Sequence, residues 1–300
     1  MIYGLAACGE VDSPITPDGP PDASPPDAPT PDASFPTGPF GNPQLVVALA
    51  NNAQDDDPTL TDDMLEIYFA STRTTGQDGN GDIWRATRAN VKDAWNAPVR
   101  VTELSSDNSN DDNPGISGDG LTIWFSSNRG SNVDIYVSTR TDRLQTWKPP
   151  ILVSELSTPV EDLGAEPGRS QQRIALYGDS PRRLFEATIK TPGHPPSWNT
   201  PTPIDSLNDI GTNLSGFFVT DLELWFSSTR PGGPGGQDIY RAQRTSLDAP
   251  FGTPTLVEGI NSAARDDDPW LSPDGHTLYF TRTVTVSGVD NQEIYLAERP

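Results

Sequence analysis

The chain has 300 residues, 42 acidic against 20 basic, and a formal net charge of −22. That balance excludes a nucleic-acid partner, which needs basic patches; a single cysteine excludes an internal disulfide framework, and two histidines, His194 and His276, leave little for zinc or histidine-based catalysis. With 31 prolines, 26 glycines, short apolar alternations and no window apolar enough for a membrane helix, the composition indicates an all-β fold of many short strands.

The N-terminal segment, 1–8, ends in Leu5-Ala6-Ala7-Cys8. It resembles the bacterial lipobox, and that resemblance implies a lipid on Cys8 and a partial signal peptide. Upstream it departs from the pattern, with only seven residues before Cys8, none of them basic. Residues 9–39 carry six acids, no Lys or Arg, and a five-residue period, PPDAS, PPDAP, TPDAS. Nothing there can bury a core, so a disordered tether is expected. At ~3.1 Å per residue it would reach roughly 95 Å.

From residue 40 to 300 the chain repeats itself. DDDPTLTDDMLEIYFASTR fills 55–73, DDNPGISGDGLTIWFSSNR fills 111–129, and DDDPWLSPDGHTLYFTR fills 266–282. TNLSGFFVTDLELWFSSTR ends at Arg230, and a degraded copy runs from Glu166 to Arg182. An aliphatic-aromatic pair follows each: Ile83-Trp84, Ile135-Tyr136, Leu184-Phe185, Ile239-Tyr240 and Ile294-Tyr295. A third element places an aromatic three residues before proline, as in Phe40/Pro43, Trp95/Pro98, Trp147/Pro150, Trp198/Pro201 and Phe251/Pro254.

Each unit supplies four strands. Strand A is expected to follow the proline. A tight turn such as Ser272 to Gly275 leads into strand B, the aliphatic-aromatic pair marks strand C, and the aromatic-proline element marks strand D. Four antiparallel strands per unit make the blade of a β-propeller. DDDPWLSPDGHTLYFTR with the later QEIYLAER resembles the WD40-like repeat of the TolB type (PD40). That resemblance covers 40–300 and implies the fold more than the function, because such propellers host many activities. Five A-B-C units and five D strands predict five blades. The first D strand precedes the first A strand, so the N-terminal strand should complete the last blade and leave no open edge.

Strand alternation puts the D-to-A and B-to-C connections at one end of every blade. The acids collect there: Asp55, Asp56 and Asp57; Asp111 and Asp112; Glu166; Asp266, Asp267 and Asp268. Arg73, Arg129, Arg182 and Arg230 recur fifteen residues after the anchor position of their blades, which is proline in every blade but the fourth, where it is Ser215, and Asp82, Asp134 and Asp238 precede the aromatic pair. One reading is structural ion pairing among these arginines and acids. The other is that surplus carboxylates at the mouth of the central channel attract a cation or a basic partner. Trp270, unrepeated and beside the Asp-Pro, is expected near the axis as a further binding residue. Trp95, Trp147 and Trp198 recur and are expected to pack between blades.

Asp78, Asn80 and Asp82 match half of a calcium loop, but Ile83 replaces its glycine and Ala89 its glutamate. No cofactor or metal is therefore expected, with Ca²⁺ as the one weak candidate. The functional expectation is a non-enzymatic, monomeric, lipid-anchored module of a bacterial cell envelope. Its acidic face would meet a protein, peptide or glycan. The alternative is a carbohydrate-active enzyme, a glycosidase-like propeller with two carboxylates across the channel.

Overall fold

The computed structural model describes Met1 and residues 35–36, 38–73, 80–286 and 288–300. The expectations for Cys8, for 9–34 and for Asp78 lie outside these residues.

Twenty-one strands form five antiparallel sheets. A two-residue strand, β1 (Gln44–Leu45), comes first. Blade 1 follows with β2 (Asp55–Leu60), β3 (Glu66–Ser71), β4 (Asp82–Thr87) and β5 (Val99–Arg100). Blade 2 has β6 (Asp111–Ile116), β7 (Thr122–Ser127), β8 (Asp134–Thr139) and β9 (Ile151–Leu152). Blade 3 has β10 (Asp162–Pro167), β11 (Arg173–Gly178) and a longer β12 (Arg183–Thr191), whose outer edge pairs with both β13 (Ser197–Trp198) and β14 (Thr202–Pro203). Blade 4 has β15 (Asn213–Thr220), β16 (Glu223–Ser228), β17 (Asp238–Gln243) and β18 (Thr255–Leu256). Blade 5 has β19 (Asp266–Leu271), β20 (Thr277–Val286) and β21 (Val289–Glu298).

The ring closes as the repeat register predicts. β1 pairs with β21, Gln44 opposite Leu296 and Leu45 opposite Tyr295, and becomes the outer strand of blade 5. Four of the five D-strand aromatics do one job. Each sits against a strand-B aromatic of the preceding blade: Trp95 on Tyr279, Trp147 on Tyr68, Trp198 on Trp124 and Phe40 on Trp225, with centroids 5.9–6.5 Å apart, whereas Phe251 meets Phe218 of strand A in its own blade at 6.4 Å. Blade-to-blade packing of this kind buries large rings and adds edge-to-face attraction. An arginine at the end of strand C covers the outer ring in four blades: Arg88 over Trp95, Arg140 over Trp147, Arg244 over Phe251 and Arg299 over Phe40, at 4.2–4.6 Å.

Strand A begins earlier than the sequence suggested. The aspartate run is the first half of the inner strand and not a loop. The reason is a bulge at its third residue, where pairing with strand B slips: Asp57, Asn113, Gly164, Ser215 and Asp268 all take positive φ, 50° to 63°. Asp, Asn and Gly tolerate this left-handed backbone best, and the repeat supplies them at four of its five positions.

Candidate functional site

The bulges turn five side-chain positions toward the axis at the D-to-A end. The three residues of each run now have separate environments.

The first residue is scaffold. Asp55 is fully buried and pairs with Arg73 at 2.6 Å; Arg73 also donates to the Leu49 carbonyl and lies over the rings of Phe69 and Trp84. Arg129 repeats this with Asp111 at 2.5 Å, the Leu104 carbonyl, Phe125 and Tyr136. In blade 5 the residue fifteen after the anchor is Val284. There Arg282, two positions earlier, reaches Asp266 at 2.6 Å and the Ile260 carbonyl. Blade 4 departs: Arg230 meets the neutral amide of Asn213 at 3.1 Å and the Leu207 carbonyl, so no carboxylate pairs with it. The acids before the aromatic pair do not serve the repeated arginines. Asp82 takes a two-pronged hydrogen bond from Arg100, 2.8 Å on each prong. Asp134 forms no ion pair among the described residues, and Asp238 accepts the Gly235 amide at 3.2 Å. Asp82 is thus the ion-pair partner of Arg100, and Asp78, the first residue of the half calcium loop, lies outside the described residues.

The second residue differs between blades. Asp267, expected to be surplus, is buried and neutralised by Arg265, with Gln237 donating at 3.2 Å. Asp56 and Asp112 have no cationic partner among the described residues. The Asn110 amide reaches Asp112 at 3.2 Å.

The third residues plug the channel. Asn113 donates to Asp57 at 2.7 Å and to the Tyr177 hydroxyl at 3.0 Å. Ser215 donates to Asp268 at 2.5 Å. Blade 3 offers Gly164, where a Cβ would lie 2.3 Å from the Tyr177 ring, so Tyr177 fills the room that the glycine leaves. Within this ring a cavity of about 30 Å³ remains, lined by Asp57, Asn113, Glu166, Tyr177, Ser215 and Asp268. That volume holds about two water molecules.

The opposite end of the channel is shut by Arg169 of blade 3. It pairs with Asp62 of blade 1 at 3.0 Å and donates to the Leu271 carbonyl of blade 5, so it crosses the axis. Its guanidinium lies over the rings of both Phe217 and Trp270, 5.5 and 5.6 Å from their centres. Trp270 is therefore core. It is 3% exposed, stacks on Phe217 and meets Tyr279 edge-on, and it cannot serve as a channel binding residue. The result is a blind acidic well, open only at the D-to-A end.

Its electrostatics follow from burial. Desolvation pushes Asp56 and Asp57 well above the usual carboxylate range, and the charges of Asp112 and Asp268 push them further. Burial raises Asp112 as well. Asp268 is pushed up to about 6, by burial and then by Asp267. Burial also holds Glu166 well above its ordinary value, although Thr59 donates to it at 3.0 Å. Asp56, Asp57 and Asp112 bring one oxygen each within 4.8 Å of one another, a separation that fits a cation bound at about 2.4 Å by each oxygen.

Arg169 was not selected by the sequence reading, and Glu166 and Asp268 entered it only as acids of the D-to-A end, not as binding residues. Glu166 and Arg169 lie in the degraded third repeat, where register was weakest. Asp268 is the bulge residue of its run, a role visible in sequence only as the residue before the proline.

No family model matches the chain, and no curated protein matches it. Solved structures do. A TolB of Agrobacterium tumefaciens aligns at 15% identity over 88% of this chain and 100% of its own, with a TM-score of 0.50. These likenesses establish the fold, a TolB-like β-propeller. A TolB of Acinetobacter baumannii aligns at 15% identity over 84% of this chain, TM-score 0.49, and the chain spans 55% of its length. A GH62 hydrolase solved with xylotriose aligns at 10% identity over 87% of this chain and 96% of its own, TM-score 0.53. Both kinds of neighbour share the propeller, so the likeness reaches the architecture and stops short of the chemistry.

Proposed function

We propose that the protein is a non-enzymatic binding module of a bacterial cell envelope, anchored through Cys8 and its tether, which offers the acidic well to a basic partner. The observation that carries this reading is the filled channel. A glycosidase needs a pocket that admits a sugar ring between two carboxylates, and ligand pockets typically run to about 300–1,000 Å³. Here the carboxylates enclose about 30 Å³, and the hydrogen-bonded ring of Asp57, Asn113, Tyr177, Ser215 and Asp268 occupies the rest. The acids also occur as repeated structural elements, whereas a catalytic acid and base are each needed once.

Two measurements in parallel test the reading. A panel of xylans, arabinans and aryl glycosides is incubated with the protein, and partners are captured by crosslinking in the native envelope. The expectation is no sugar release and a protein partner captured at the well. Glycan turnover that disappears in Asp57→Asn and Asp268→Asn would replace this reading with the glycosidase.

A further inference from the structure

Among the described residues, blade 5 carries something that the other blades lack. In blades 1, 2 and 4 the strand B to strand C ladder ends where Ser71 faces Asp82, Ser127 faces Asp134 and Ser228 faces Asp238. In blade 5 the equivalent pair is Arg282 and Glu293, and the ladder continues through Thr283/Gln292, Val284/Asn291, Thr285/Asp290 and Val286/Val289. Four extra pairs extend the hairpin by about 13 Å at the well end. Strand A stops at Asp266, opposite Arg282, so it leaves this extension uncovered.

The free edge has a defined direction. The Thr283 amide donates to the Arg265 carbonyl, on the strand-A side. Backbone groups alternate along a strand, so the Thr283 carbonyl and both backbone groups of Thr285 also point to that side. Among the described residues nothing pairs with them. The sequence there, Thr283-Val284-Thr285-Val286, is β-branched throughout, with no proline or charge to blunt an edge. A strand added to this edge lies in line with β19, at the rim of the well.

Charge selects the occupant. A second copy would bring one acidic well against another. The chain's own residues 9–34 are acidic, lack Lys and Arg, and are rich in proline, which cannot donate to a ladder. Asp56, Asp57, Asp112 and Asp268 instead favour cationic side chains. We propose that the β20 edge takes up an extended, basic segment of another polypeptide as an added strand, with its lysine or arginine side chains over the acidic well. This rests on the binding-module reading and names its partner class.

The test uses the full chain and a fluorescent octapeptide of alternating lysine and valine, followed by anisotropy at low salt. Thr285→Pro removes the outward amide, at a place where an edge strand tolerates proline, and Thr285→Val controls for the hydroxyl that donates to Asp290 at 2.7 Å. The proline variant should weaken the probe about tenfold or more, and N-methylation of alternate probe amides should do the same without altering the protein at all. Asp56→Asn with Asp112→Asn should weaken it as well. If the probe binds but neither Thr285→Pro nor N-methylation matters, strand addition is overturned while the acidic well survives as a binding face. If the probe does not bind wild-type protein even at low salt, both ideas fall.

Discussion

Asn113 donates from Nδ2 to Asp57 at 2.7 Å, across the seam between the first two blades. The bond places an amide donor in a ring of carboxyls and limits their mutual repulsion. Asn113→Asp would add a further acid at that point. It should destabilise the fold by about 1–3 kcal/mol at pH 7.5 and much less at pH 5, where the new carboxyl can hold a proton and donate in place of the amide. Thermal melts at the two pH values check this.

The whole protein should lose stability as pH rises from about 4 to 7. Asp268 is raised to about 6. Glu293, with one oxygen buried and unpartnered, is raised to about 7 by burial and then by Asp55. Unfolded carboxyls titrate near about 4. The native state therefore holds protons that the unfolded chain has released. The stability linked to these groups is complete below about pH 4 and is lost as pH climbs through 6 to 7. Asp63, Glu66 and Asp274 are lowered and act oppositely, losing their contribution only on acidification below about 4. Glu293→Gln should raise the melting temperature at pH 7.5 by about 2–4 °C and flatten the profile.

Arginines at one repeat position should differ in worth. Arg129→Ala strands the fully buried Asp111 and should cost about 3 kcal/mol. Arg182, the same repeat position in blade 3, pairs with the exposed Glu161 at 2.7 Å, so Arg182→Ala should cost under about 1 kcal/mol. Urea melts of the two variants measure the contrast.

Ring closure depends on Phe40, buried between Trp225 and Arg299. Phe40→Ala should cost about 3 kcal/mol. It should also speed hydrogen exchange in β21 before the other blades, because Phe40 anchors β1, the strand that pairs with the outer edge of β21.

The architecture was legible because a propeller repeats one local solution. The Trp-x-x-Pro spacing, the Ile-aromatic pair and the displaced first D strand each recur often enough to fix register and blade count. The site was legible only in outline. Asp266 and Asp267 read as surplus charge, because their neutralisation by Arg282 and Arg265 depends on which residues face each other across a bulge. Trp270 read as an axial ligand residue because it is unrepeated. Its burial depends on Arg169 crossing from blade 3, a contact between residues about a hundred positions apart. Tyr177 was hidden by the third repeat, whose Gly164 gives up its bulge position to the Tyr177 ring. Periodicity reports what blades share, and this well is built from what they do not share.

The account stands or falls on whether the well recruits positive charge. The most direct measurement is titration calorimetry with tetralysine across a salt series, comparing wild type with an Asp56→Asn, Asp57→Asn, Asp112→Asn triple variant of matched stability. The predicted result is wild-type binding that weakens steeply with salt and is abolished in the variant. Equal binding by both proteins, or no heat from wild type at low salt, would contradict it.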